Sequence, residues 1–126
     1  MSDETNGRFS YDGLDRVLHE KARLSILTSL LTHPEGLLFG DIKSMCSLTD
    51  GNLSRHLQLL YKEGLIEMWK GFENRRPQTL CRISEEGRNR FLEYLAELEK
   101  VLSDASAQQQ EPETGTGNIP PGWVPA

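Results

Sequence analysis

Apolar residues fall at helical intervals through most of this 126-residue chain. Leu14, Val17 and Leu18 make one short stripe, and the pattern reads as helical from Leu14 onward. Leu24, Leu27, Leu30 and Leu31 make a second stripe, with steps of three, three and one. His33-Pro34-Glu35-Gly36 closes that run, because proline disfavours a helical residue before it and glycine frees the turn. Phe39, Ile42, Met45 and Cys46 repeat the rhythm and predict a second, short helix. Ser47-Leu48-Thr49-Asp50-Gly51 reads as a turn, with Thr49 or Asp50 as N-cap of a third helix over residues 51–63. Leu53, Leu57 and Leu60 form its inner face, and Gly64 stands where a left-handed residue stops a helix.

The rhythm then changes. Leu65-Ile66-Glu67-Met68-Trp69-Lys70 is rich in long apolar, β-branched and aromatic residues and predicts a strand. Gly71 to Pro77 reads as a seven-residue turn with Trp69 and Phe72 packed at its base, and Gln78 to Ile83 returns as a second strand. Ser84 caps a last helix, whose first turn carries Glu85 and Glu86 where the helix dipole favours negative charge. Phe91, Leu95, Leu98 and Leu102 step by four, three and four along it, and Tyr94 and Val101 widen the stripe. Residues 103–126 hold four of the six prolines and a run of three glutamines at 108–110, a disordered composition. The expected organisation is a disordered end at 1–9, one folded domain at 10–102 and a disordered acidic, Pro/Gly-containing tail at 103–126.

A short helix joined by a few residues to a second helix is a helix-turn-helix, and a hairpin directly behind it makes it winged. The expected fold is mainly α with a small β-hairpin. The apolar stripe of the last helix is broad for one small domain, so the first and last helices are expected to form a dimer interface. Its residues are Leu14, Val17, Leu18, Phe91, Tyr94, Leu95, Leu98, Val101 and Leu102.

Charge bears on the partner. With 14 basic and 19 acidic residues the chain carries −5, which on its face opposes a nucleic-acid partner. The surplus lies at the ends. Asp3 and Glu4 stand without a base in residues 1–7, as do Asp104, Glu111 and Glu113 in residues 103–126. Residues 8–102 are neutral, and within them residues 43–82 hold seven bases against four acids. The acidic ends are expected to weaken non-specific DNA binding.

Other classes fall away. No apolar run approaches the roughly 18–20 residues that span a bilayer. The polar, acidic start lacks the basic and apolar regions of a secretory signal. Cys46 and Cys81 form no ligand pair and read as small buried thiols of a reducing, cytoplasmic compartment, with oxidation across a dimer as their one redox role. Ser25, Ser54 and the three histidines compose no nucleophile motif, and no glycine-rich loop or metal-ligand cluster is present. We expect neither catalysis nor a cofactor nor a metal.

Several stretches together resemble a known family. Asp50-Gly51-Asn52-Leu53-Ser54-Arg55-His56-Leu57 resembles the recognition-helix signature of small winged-helix regulators related to the MarR and ArsR groups. Leu65-Ile66-Glu67, Gly71-Phe72 and Arg75-Arg76-Pro77 resemble their strand and wing. Ser84-Glu85-Glu86-Gly87-Arg88 is similar to the opening of their last helix, with Ile83-Ser84 in place of Leu-Thr. Residues 14–17 and 23–27 are similar to their first segment. The resemblance covers about residues 14 to 100 and implies a DNA-binding transcriptional regulator, usually homodimeric and without catalytic activity.

Helical geometry places the candidate contacts. At about 100° per residue, with Leu53 as zero, Gln58, Gly51, Lys62 and Arg55 point away from the core, flanked by Ser54 and Asn52. Arginine pairs with guanine, and asparagine or glutamine with adenine, in the major groove. Thr49, Asn52, Ser54, Arg55, Gln58 and Lys62 are therefore the expected groove contacts. Lys70, Asn74, Arg75 and Arg76 on wing 70–77, with Arg82 behind them, suit the backbone or the minor groove. His56, at the edge of the core face, is read as a hydrogen-bonded structural histidine. The partners expected are double-stranded DNA and a second copy of the chain, with no membrane and with room for an unnamed small-molecule effector between the dimer helices. The rival reading is a winged helix used for protein–protein interaction without sequence-specific DNA binding.

Overall fold

This computed structural model describes residues 7–108 and 119–126, and of the disordered ends expected at 1–9 and 103–126 the residues 1–6 and 109–118 lie outside the described residues. Along the described chain run α1 (Lys21–Leu31), β1 (Leu37–Leu38), α2 (Phe39–Cys46), α3 (Asp50–Lys62), β2 (Ile66–Glu73), β3 (Arg76–Ile83) and α4 (Glu85–Gln108). This is a winged helix: α2 and α3 form the helix-turn-helix, and the β2–β3 hairpin is the wing.

The expected inner faces meet in one core. Ile26, Leu27 and Leu30 of α1 pack with Ile42 of α2, with Leu53, Leu57 and Leu60 of α3, and with Leu65 and Ile66 where the wing begins. The stops are those the sequence announces. Thr49 caps α3 by accepting the Asn52 N–H at 3.2 Å, and Gly64 follows the helix at φ 77°. Ser84 caps α4 by accepting the Gly87 N–H at 2.9 Å while donating to the Gly64 carbonyl at 2.7 Å. At Gly87 the first turn of α4 lies directly on the Leu65 carbonyl, so that any side chain there would overlap it.

Four expectations are corrected. The stripe at Leu14–Leu18 is a series of turns. The Asp15 carboxylate accepts the Val17 N–H at 2.8 Å, giving the backbone a local alternative to helix. The seven-residue turn at 71–77 is mostly ladder. β2 and β3 stay paired to Glu73↔Arg76, leaving a two-residue turn of Asn74 and Arg75, both at positive φ (51° and 68°) as a type I′ hairpin requires. Phe72, 78% exposed, and Trp69, 44% exposed, are therefore not packed at the base of a loop. The sheet also gains a strand: β1 pairs with β3, giving the order β1-β3-β2, and two residues are too few to show a period.

The third correction concerns the tail. α4 continues six residues beyond Leu102, because Ser103 to Gln108 contain no helix breaker and Asp104 is engaged. Its carboxylate accepts the Tyr11 hydroxyl at 2.7 Å and an Arg8 N–H at 3.5 Å, which holds the segment before α1 against α4. Residues 103–108 are thus helical and, on the other side, Gly7–Ser10 form a turn.

The fourth concerns the dimer face. Leu18, Phe91 and Tyr94 are buried within their own chain, so they offer no surface to a second copy. Leu14, Val17, Leu95 and Leu98 are partly covered by the same core. Farther along α4, Val101 is half-buried and Leu102 is 66% exposed, so the stripe runs off the end of the domain. Cys81 also faces the core, where burial pushes its thiol up to about 11, and it is not placed to meet Cys46 across a dimer.

Candidate nucleic-acid interface

α3 presents its polar side to solvent. Asn52, Ser54, Arg55, Gln58 and Lys62 are all exposed, with Thr49 beside them at the cap. The Asn52 carboxamide oxygen accepts a hydrogen bond from Arg55 Nη2 at 3.0 Å, so the two side chains are held together one turn apart. Lys43 of α2 pairs with Asp50 at 2.9 Å across the helix-turn-helix. That pair neutralises the one acid in the first turn of α3 and ties the two helices at the turn.

The wing supplies a second group. Lys70 stands opposite Thr79 in the ladder, Arg76 closes it opposite Glu73, and Asn74 and Arg75 form the tip. All four candidates are exposed. Arg82 is not brought to them. It pairs with Glu67 near the other end of the hairpin, donates to the Glu35 carbonyl at 3.2 Å and lies over the Trp69 ring at 5.3 Å. Six residues of strand, roughly 20 Å, separate it from Arg76.

Beneath α3 lies a polar relay that the pattern of leucines hides. Arg23 occupies the stripe of Ile26, Leu27 and Leu30, three to seven residues before them, and that spacing is the signal by which a half-buried arginine could have been found. Its Nε donates to the Val17 carbonyl at 2.6 Å and its Nη1 to His56 Nδ1 at 3.2 Å. Because arginine is always a donor, Nδ1 is the acceptor and the ring proton sits on Nε2. Burial pushes the His56 pKa below its ordinary value, opposed by Glu20 and reinforced by the charges of Arg55 and Arg23. His56 is thus the structural histidine expected, 5% exposed.

A strut fixes the far end of α3. Arg90 of α4 donates to Asp15 at 2.7 and 3.2 Å and reaches Glu63, just past α3, at 3.6 Å. Arg90 holds the Asp15 carboxyl below its usual range against the opposing effect of burial.

The Winged helix DNA-binding domain family model matches residues 22–102, which spans the helix-turn-helix, the wing and most of α4. The chain belongs to this winged-helix DNA-binding family. It is 34% identical over 83 residues to an uncharacterized protein of Methanocaldococcus jannaschii, covering 66% of this chain and 89% of that one. A solved transcriptional regulator homologue from Pyrococcus horikoshii OT3 superposes with a TM-score of 0.67 at 28% identity, over 72% of this chain and 89% of that chain. A MarR-family regulator from Silicibacter pomeroyi shares the fold at TM-score 0.55 and 17% identity, over 85% and 70% of the two chains. NadR, solved in complex with 4-hydroxyphenylacetate, shares it at TM-score 0.54 and 20% identity, over 77% and 81%.

As a member of this winged-helix family the chain is a DNA-binding regulator by fold, with α3 in the position of the recognition helix. Among the described residues no helix is long and apolar enough to cross a membrane.

Proposed function

We propose that this chain acts as a homodimeric transcriptional regulator, reading the major groove with α3 and the backbone or minor groove with the wing tip. The observation that carries the reading is the Asn52–Arg55 pair, exposed and held at 3.0 Å on the outward face of the recognition helix. In that face Asn52, Arg55 and Gln58 supply base-edge hydrogen bonds, and Thr49, Ser54 and Lys62 supply phosphate contacts. Lys70, Asn74, Arg75 and Arg76 form a narrow basic tip that suits a minor groove. Arg82, committed to Glu35 and Trp69, adds charge at a distance.

Dimerisation belongs to the same reading. The run of α4 at Leu98, Val101 and Leu102, half-buried at the first two and exposed at the last, with Leu95, Leu14 and Val17 at its side, is the apolar surface that a second copy would cover. Two recognition helices about one DNA turn apart, roughly 34 Å, then read a two-fold-related site. The likeness to NadR, a protein solved with a bound small carboxylate, supports an effector acting on the dimer. Like its relatives by fold, the chain is read as non-catalytic.

The test is DNA binding as a function of salt for the wild type, Arg55→Ala and Arg75→Ala. The reading predicts steep salt dependence and clearly weakened binding in both variants. Absence of salt-sensitive binding, to the promoter region of the protein's own gene included, would favour a winged helix used for protein–protein interaction.

A further inference from the structure

A cleft of about 580 Å³ opens beside α3, between the first turn of α1 and the end of α2. One wall is Asn52 and Arg55, the pair already placed on the outward face of α3. Lys21 and Ser25 of α1, Met45 and Cys46 of α2, and the nearly buried His56 of α3 also line it. Its charges are uneven. Lys21 and Arg55 are exposed cations, while Glu20, the acid at the rim, is occupied by the Arg23 backbone N–H at 2.8 Å and approached by the Arg23 guanidinium at 3.9 Å. With Nδ1 of His56 taken by Arg23, the ring's remaining nitrogen carries a proton and is a donor. The cleft therefore offers donors and positive charge and suits an anion.

Its position says which anion. A helix about 10–12 Å wide fills a major groove about 12 Å wide, so the surfaces flanking α3 meet the sugar–phosphate backbone. We propose that this cleft seats a phosphate of the DNA backbone, held by Lys21 with His56 beside it, while Arg55 turns toward the bases. This rests on the DNA-binding reading and extends it to residues outside α3 and the wing. The seat contacts no base, so it contributes equally to every sequence and fixes the depth and angle of α3.

The experiment uses the full chain with two duplexes, one selected from a random pool and one of random sequence. Lys21→Gln is expected to weaken both by the same factor, about three- to ten-fold, and to lower the slope of log affinity against log salt by about one. Met45→Glu, at an exposed position, places an anion at the end of the cleft and is expected to weaken both duplexes by more than about ten-fold, with an unchanged melting temperature. Inorganic phosphate tests the other source. If phosphate raises the melting temperature of the wild type yet leaves DNA affinity as in a chloride control of equal ionic strength, the cleft holds a free anion and the proposal is overturned. It is equally overturned if the wild type binds DNA and Lys21→Gln and Met45→Glu leave affinity and slope unchanged. A wild type that binds no DNA contradicts the proposed function itself.

Discussion

Arg55 donates to Asn52 at 3.0 Å on the exposed face of α3, one helical turn apart. This bond restricts both long side chains before any partner arrives and so reduces the ordering cost of binding. Each is also the residue type that recognises one purine edge. Arg55→Ala is expected to cost about 1–3 kcal/mol of binding and to relax preference at one base pair. Asn52→Ala is expected to cost less than its own base contact suggests if Arg55 is set free to reach further. The double variant, measured by titration on a selected duplex, should depart from additivity by at least about 0.5 kcal/mol.

Gly87 carries a prediction about folding alone. A methyl group there would overlap the Leu65 carbonyl, so Gly87→Ala must push α4 off the start of the wing. We expect a loss of about 1–3 kcal/mol by denaturant unfolding. Gly51 gives the contrast, since nothing lies within 4 Å of a side chain there. Gly51→Ala should leave stability unchanged or raise it by up to about 1 kcal/mol.

The strut at Arg90 predicts a dependence on acid. The Asp15 pKa is depressed in the folded chain by the Arg90 hydrogen bonds. A depressed carboxyl contributes stability above its unfolded value of 3.8 and loses it as pH falls through the folded value. The ion pair is about three-quarters covered, so Asp15→Asn should cost about 1–2 kcal/mol at pH 7. The gap between wild type and variant should close as the pH falls below 3.8 in paired unfolding curves.

His56 acts in a different window. Its pKa is lowered, chiefly by burial, so the unfolded chain takes up a proton near 6.5 while the folded chain does not. The stability that depends on neutral His56 is present above 6.5 and declines as pH falls from there through the folded value. Protonation would set a second cation against Arg23 under α3. His56→Gln should flatten the pH dependence of the melting temperature between neutrality and about pH 5. An unchanged slope would place the pH sensitivity elsewhere.

Much of this fold is legible locally. The three-three-one spacing of α2, the leucines of α3 and the stops at Thr49, Gly64 and Ser84 are all set by neighbours a few residues away, which is where sequence patterns are informative. The errors arise where distant contacts decide. Asp15 breaks a helical stripe because Arg90, 75 residues away, and the backbone at Val17 both claim its carboxylate. Gly71 and Pro77 look like loop residues, yet each has a partner in the ladder, Gln78 and Phe72. Phe91 and Tyr94 look like half of a dimer seam because nothing local shows that the chain's own core buries them. The recognition face was readable because it is one face of one helix. The Arg23–His56 relay and the cleft above it join three helices, and beyond the place of Arg23 in the α1 stripe they have no local signature.

The charge pattern also sharpens. Asp104, counted with the acidic tail, is paired with Tyr11 and Arg8 on α4. A truncation meant to test the tail's charge therefore belongs after Gln108, where it removes Glu111 and Glu113 and leaves the helix intact.

The central claim is that α3 and the wing of two copies read one site in duplex DNA. Selection from a random pool with the full-length chain tests it most directly, followed by a salt titration on the enriched duplex. The account predicts two inverted half-sites centred about one helical turn apart, bound with an affinity that falls steeply as salt rises. A pool that stays random after successive rounds, with no salt-dependent retention, would contradict it.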